Sequence, residues 1–111
     1  MSDKVNFVRI CKVSDIPDRK GIRFEIGDYD LAIFKIDDEV FVISNICPHN
    51  HSAQIFNGHL MEYSISCPVH GWKFDLRDGK TLNNNSNIKT FETKIVDDFL
   101  FVNLPKKIFN W

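Results

Sequence analysis

The sequence predicts an all-β chain. Short runs of β-branched and aromatic residues, several of them alternating apolar with polar positions, recur at regular spacing. Gly-Asp, Asp-Asp and Asp-Gly turn signals separate them. No segment carries a convincing 3.6-residue apolar period of an amphipathic helix. A length of 111 residues favours one domain, residues 1–111, with no internal repeat and no boundary. Ten phenylalanines and 43% hydrophobic residues suffice for a modest core.

The first strand falls within residues 5–13, where β-branched and aromatic residues mix. Residues 14–21, with Pro17 and several charges, form a connection. Ile22, Phe24 and Ile26 alternate with Arg23 and Glu25, the mark of a half-buried strand. Gly27-Asp28 turns the chain. Residues 30–36 place Ala32, Phe34 and Ile36 on one face and Leu31 and Ile33 on the other. Asp37-Asp38 is a hairpin signal before the apolar run 40–43. Residues 62–66 alternate again, with Tyr63 and Ile65 inward. Residues 73–75 form a short strand that Asp78-Gly79 turns back. The segment NNNSN, residues 83–87, is a polar loop. Residues 88–96 and 99–103 read as a closing hairpin around Asp97-Asp98. The tail, residues 105–111, has no assigned role.

The net charge is −1, from 14 basic and 15 acidic residues, with no basic run. Nothing points to nucleic acid or to an anionic membrane surface. No apolar stretch reaches transmembrane length. The N-terminal residues lack the apolar core of a signal peptide, so a soluble, cytoplasmic protein is expected. Three cysteines leave one over if two bind metal. Cys11 lies in the first strand and is expected to be a buried thiol, in keeping with a reducing compartment.

The rest of the chain is organised around residues 47–75. This stretch holds two short chelating units, Cys47-Pro48-His49 and Cys67-Pro68-Val69-His70, with 17 residues between His49 and Cys67. Taken singly, a cysteine is usually a small buried side chain and a histidine a hydrogen-bonded one. Two Cys/His units in similar tight loops point instead to a metal centre. Zinc is a common answer to mixed Cys/His sets, but its patterns usually pair Cys with Cys and His with His. Here each unit supplies one thiolate and one imidazole. That suits two inequivalent irons with both loops reaching each of them. Zinc on the same four ligands stays open.

The pattern Cys-x-His, 17 residues, Cys-x-x-His-Gly, followed by Trp72, Phe74 and Asp75, resembles the Rieske [2Fe–2S] family. The resemblance implies an antiparallel β-sandwich or barrel-like base with a small cluster-binding subdomain at about residues 45–78. It implies that Cys47 and Cys67 bind one iron of a [2Fe–2S] cluster, and His49 and His70 the other. Rieske centres as a class span about −150 to +300 mV, because imidazoles leave the cluster less negative than thiolates do. High-potential members carry a disulfide between the two loops, a hydroxyl after His-Gly and a tyrosine two residues on. Here the first loop reads Asn50-His51-Ser52, the second has Val69, and the hydroxyl positions are Trp72 and Phe74. The chain is therefore similar to the soluble, low-potential, ferredoxin-type branch. It departs from that branch in a first loop about one residue longer. It also has no proline in residues 81–87, the segment corresponding to a loop that covers the cluster.

The resemblance implies a one-electron carrier rather than an enzyme, working between a flavin- or NAD(P)H-linked reductase and a terminal oxygenase or similar enzyme. Its partner surface is expected at the cluster, with Pro48, Ile55, Phe56 and Pro68 as an apolar rim. The alternatives are a small subunit of a nitrite-reductase-like complex, or a zinc-stapled interaction domain. The residues argue against a terminal oxygenase. Its mononuclear iron needs two further histidines and a carboxylate, and no histidine lies outside residues 49–70. His51 and His59 need no function, although His51 could replace His49 as a ligand.

Overall fold

The computed structural model describes residues 6–47, 53–68, 71–81 and 87–104. Ten strands run in order along these residues: β1 (Phe7–Lys12), β2 (Ile22–Ile26), β3 (Tyr29–Ile36), β4 (Glu39–Ser44), β5 (His59–Met61), β6 (Ser64–Ser66), β7 (Lys73–Asp75), β8 (Thr90–Phe91), β9 (Thr93–Val96) and β10 (Phe99–Asn103). They form three sheets with orders β1-β10-β9, β2-β3-β4-β8 and β5-β6-β7. Every strand pair is antiparallel. The helical turns among the described residues are two three-residue 3-10 segments, Val13–Asp15 and Ile55–Asn57. No helix among them is long and apolar enough to cross a membrane.

Strand β3 is the hub. Its alternation sends Ala32, Phe34 and Ile36 into one buried cluster and Leu31 and Ile33 into a second. The β4 strand divides likewise, with Ile43 on the first side and Val40 and Val42 on the second. The central sheet is thus covered on both faces, which is why these strands read as nearly unbroken apolar runs. On the second face, Leu100 and Val102 of β10 complete the core. On the first face, Ile55, Ile65 and Phe74 do so, and all three are fully buried. This layering bears out the all-β class that the sequence predicts and matches the sandwich-like base that the family resemblance implies.

The turn chemistry follows the sequence closely. Asp37 and Asp38 have φ of 49° and 72°, and Asp97 and Asp98 have φ of 51° and 68°. Two successive residues with φ > 0 make primed hairpin turns, whose twist matches that of the strands. Aspartate tolerates this region better than bulkier side chains do.

Three expectations need correction, and one strand was not foreseen. Residues 88–96 are not one strand. Thr90–Phe91 pairs with β4, and Thr93–Val96 pairs with β10 in a different sheet. The chain changes sheets at Glu92, and local alternation carries no signal for such a switch. The alternating run 62–66 starts late, because Glu62 takes φ of 55° and turns the chain from β5 into β6. Strand β5 itself, only three residues long, escaped the pattern. Cys11 is half-buried rather than buried, beside a register shift between Arg9 and Cys11 in the pairing with β10. Burial and, to a smaller degree, Asp15 raise its thiol pKa. The polar loop falls mostly, and the tail wholly, outside the described residues.

Candidate metal centre

Cys47 follows β4 by three residues and is fully buried. Cys67 follows β6 directly and is 1% exposed. Both belong to the same buried cluster, with Phe34, Ile43, Ile55, Ile65 and Phe74. Two loops far apart in sequence therefore bring two thiols into one apolar compartment. None of the three cysteines is in a disulfide. Among the described residues no three of His, Cys, Asp and Glu come together. His49 and His70, the two imidazoles expected to complete the set, lie outside the described residues, as does His51. His59 is described and lies exposed on β5, paired in register with Ser66.

The loop after Cys67 is closed by its own backbone. The Cys67 N–H donates to the Trp72 carbonyl at 2.8 Å, and the Gly71 N–H donates to the Cys67 carbonyl at 2.8 Å. Gly71 holds φ at +74° with open space where a Cβ would stand, so conformation alone requires glycine there. Trp72 packs half-buried against the cluster, and Pro68 is exposed. Beyond β7 the chain is turned by Asp75. Its carboxylate accepts from the Arg77 backbone N–H at 2.8 Å and from the Arg77 guanidinium at 2.8 and 3.0 Å. The Arg77 hydrogen bond holds the Asp75 carboxyl below its ordinary range. Asp75 is thus a turn residue rather than a ligand candidate.

The loop after Cys47 is held differently. Asn45 is the one polar side chain fully buried among the described residues. Its Nδ2 donates to Asp30 Oδ1 at 3.0 Å and to the Ala53 carbonyl at 3.1 Å, and its Oδ1 accepts from the Phe56 N–H at 2.8 Å. Asp30 in turn accepts from Arg23 Nε at 3.0 Å and Nη2 at 2.7 Å. The return leg also packs closely on its surroundings. A Cβ on Gly21 would stand 2.2 Å from the Phe56 carbonyl oxygen, and one on Gly58 would stand 2.1 Å from that of Ser66. Sequence reasoning missed Asn45 and Asp30. The available signal was an amide just beyond the apolar run 40–43 and two positions before a candidate ligand, and a carboxylate near the start of the apolar run of β3. Ile55, expected on an exposed rim, is fully buried; Phe56 is half-buried, and Pro48 lies outside the described residues.

Residues 6–93 match the sequence model of the Rieske [2Fe–2S] domain. The chain belongs to that family. The ferredoxin component of the naphthalene 1,2-dioxygenase system of Pseudomonas putida is 31% identical over 93 residues, covering 82% of this chain and 88% of that one. The solved ferredoxin of Sphingomonas yanoikuyae B1 superposes with a TM-score of 0.80 at 29% identity, over 90% of this chain and all of that one. A putative NADH-dependent nitrite reductase small subunit from Mycobacterium tuberculosis superposes with a TM-score of 0.85 over 95% of this chain and all of that one. At 18% identity it speaks for the Rieske fold alone. The cofactor of this family is a [2Fe–2S] cluster, and the donors in place fit it. Two buried thiols meet in a compartment that excludes water, and each heads a loop whose sequence offers one imidazole.

Proposed function

We propose that this protein is a Rieske-type ferredoxin, a one-electron carrier in which Cys47 and Cys67 bind one iron and His49 and His70 the other. The observation that carries this is the meeting of Cys47 and Cys67 in one buried cluster, on a chain that keeps both the Cys-x-His and the Cys-x-x-His unit. With every position filled by protein, a [2Fe–2S] cluster passes single electrons and offers no open site for a substrate. The chain is then a component of an oxidoreductase system and not an enzyme by itself.

Its own residues divide the remaining work. Ile43, Ile55, Ile65 and Phe74 keep water from the thiols. The backbone pair between Cys67 and Trp72, and the Asn45 hydrogen bonds, fix the two loops. Residues 1–111 act as one domain, with residues 45–78 as its cluster-binding part. The partners are a flavin- or NAD(P)H-linked reductase and a terminal oxygenase, as the naming of the naphthalene dioxygenase relative suggests. The setting is the cytoplasm. A nitrite-reductase-like complex is the alternative setting: nitrite reductase small subunits share this fold.

Anaerobic purification with iron, sulfide and zinc analysis tests the reading. Two irons and two sulfides per chain, about the stoichiometry of one cluster, are expected, with reversible one-electron bleaching. A colourless protein holding zinc would establish the stapled-domain alternative instead.

A further inference from the structure

We infer that Asn45 is a positioning residue that clamps the first cysteine loop shut and bolts it, through Asp30 and Arg23, to the base of the fold. The inference deepens the ferredoxin reading and rests on it for the role of Cys47 as a ligand.

A carboxamide has two N–H donors and one acceptor oxygen. Here each finds its complement. The carbonyl of Ala53 and the carboxylate of Asp30 require N–H donors, and the N–H of Phe56 requires an acceptor. These partners fix which way the amide faces. Two of the three bonds cross from residue 45 to residues 53 and 56, one on each flank of the buried Ile55. The Asn45 backbone adds to this: its carbonyl accepts from the Ile55 N–H at 3.4 Å, and its own N–H donates to the Asp30 carbonyl at 2.8 Å. Cys47 lies inside the segment so closed. Fixing the two ends of a loop removes most of its freedom to open.

The third bond sets where the closed loop sits. Asp30 Oδ1 accepts from both Asn45 Nδ2 and Arg23 Nε, each at 3.0 Å, while Oδ2 accepts from Arg23 Nη2. A bidentate arginine–carboxylate pair has a defined geometry. It aims one oxygen at Asn45 from strands β2 and β3 of the central sheet. Neither alanine nor aspartate replaces Asn45 cleanly. Alanine leaves the Phe56 N–H and the Ala53 carbonyl to find partners in a part-buried place. Aspartate keeps the Phe56 bond but sets a carboxylate against Asp30 and against the Ala53 carbonyl.

The test uses full-length protein carrying iron and sulfide, in the wild-type, Asn45→Ala, Asp30→Ala and Asp30→Asn forms. Hydrogen–deuterium exchange is followed by peptide, and iron loss to a chelator by visible absorption. In Asn45→Ala, amides of residues 53–58 are expected to exchange about tenfold faster or more, the size of losing one or two net hydrogen bonds. Amides of β1 and β10 should change less than about twofold, since local opening leaves other cooperative units intact. Iron loss should speed up in step with the loop. Asp30→Asn keeps an acceptor for Asn45 and should lie nearer to wild type than Asp30→Ala in both measurements. Unchanged protection of residues 53–58, or equal loosening of loop and base, would overturn the clamp. So would identical behaviour of the two Asp30 variants, which also decide the matter should Asn45→Ala not fold. Wild-type protein that takes up no iron and sulfide would overturn the ligand reading instead, separately from the exchange result.

Discussion

The two cysteine loops are held by opposite means. The Cys67 loop is local: hydrogen bonds among Cys67, Gly71 and Trp72 close it, and one glycine supplies the left-handed turn. The Cys47 loop is tertiary. Its return leg is held by Asn45, by Asp30 on β3 behind it, and by close backbone approach at Gly21 and Gly58. A loop closed by its own backbone keeps its shape wherever it is placed. A loop closed by distant partners reports on the integrity of the base beneath it.

The largest expected effect asks whether two loops so differently built make one site. Cys47→Ser and His49→Ala break the first unit, and Cys67→Ser and His70→Ala the second. Each is expected to abolish cluster binding, because metal sites of this kind couple all their ligands to the folded loops. Iron content and visible absorption of the purified variants check it. Full retention in either pair would mean that its loop is not part of the centre. Retention in His49→Ala alone would move the ligand to His51.

The next contrast lies between two glycines. Gly58 has φ of −75°, which any residue can adopt, but a Cβ there would lie 2.1 Å from the Ser66 oxygen. Gly71 has open space but φ of +74°. Gly58→Ala should therefore cost roughly 1–3 kcal/mol through overpacking, and Gly71→Ala about 1–2 kcal/mol through conformation. Asparagine, which tolerates the left-handed region, should be milder at 71 and worse than alanine at 58. Denaturant midpoints of the four variants measure this, and an equal response to asparagine at both sites would erase the distinction drawn between the loops.

The same difference governs what could be read in advance. The Cys67 loop was legible, because its cysteine, glycine and flanking strand all lie within a few residues. So was the division of β3 between two faces, because period-two alternation is itself local, as were the Asp-Asp hairpins. Asn45 was not legible as a clamp, since its partners Asp30 and Phe56 meet it only once the sheet has formed. The passage of residues 90–96 from one sheet to another was hidden for the same reason. The burial of Ile55 was hidden too: nothing near it in sequence says that the core cluster closes over it.

A smaller effect compares the carboxylates that serve the two regions. Arg23 lowers the pKa of Asp30 beside the first loop, and Arg77 lowers that of Asp75 after β7, both from an ordinary 3.8. A depressed carboxylate binds its proton more weakly in the folded chain than in the unfolded one. Its contribution is fully present above the unfolded pKa and fades as pH falls through the lower folded value. Stability should thus drop below about pH 4, and Asp30→Asn and Asp75→Asn should each flatten that drop. Both arginines are exposed, so the changes should be modest and smaller at high salt. Denaturant midpoints followed from roughly pH 3 to 6 read them. If Asp30→Asn flattens nothing, the Arg23 pair is not coupled to folding.

The smallest effect probes the wall that the two loops share. Phe74 is fully buried in the cluster that holds Cys47 and Cys67, and it pairs with Ile65 across β6 and β7. High-potential Rieske proteins carry a tyrosine at the position that resembles this one. Phe74→Tyr adds one hydroxyl to a dry wall, and a buried hydroxyl must find an acceptor or destabilise the fold. The most electron-rich acceptors a loaded centre would offer are its sulfurs. A hydrogen bond to a charged group contributes roughly 1.5–3 kcal/mol, and only the difference between redox states, about half of that, moves the potential. With about 59 mV for each 1.4 kcal/mol in a one-electron couple, a rise of several tens of millivolts is expected. Redox titration of both proteins at matched pH and salt measures it, and a denaturant midpoint taken alongside shows where the hydroxyl went. A higher potential with stability kept means that the phenol found sulfur. An unchanged potential with lower stability means that it found nothing, and the backbone donors around Cys67 and the closure of the Cys47 loop then set the potential between them.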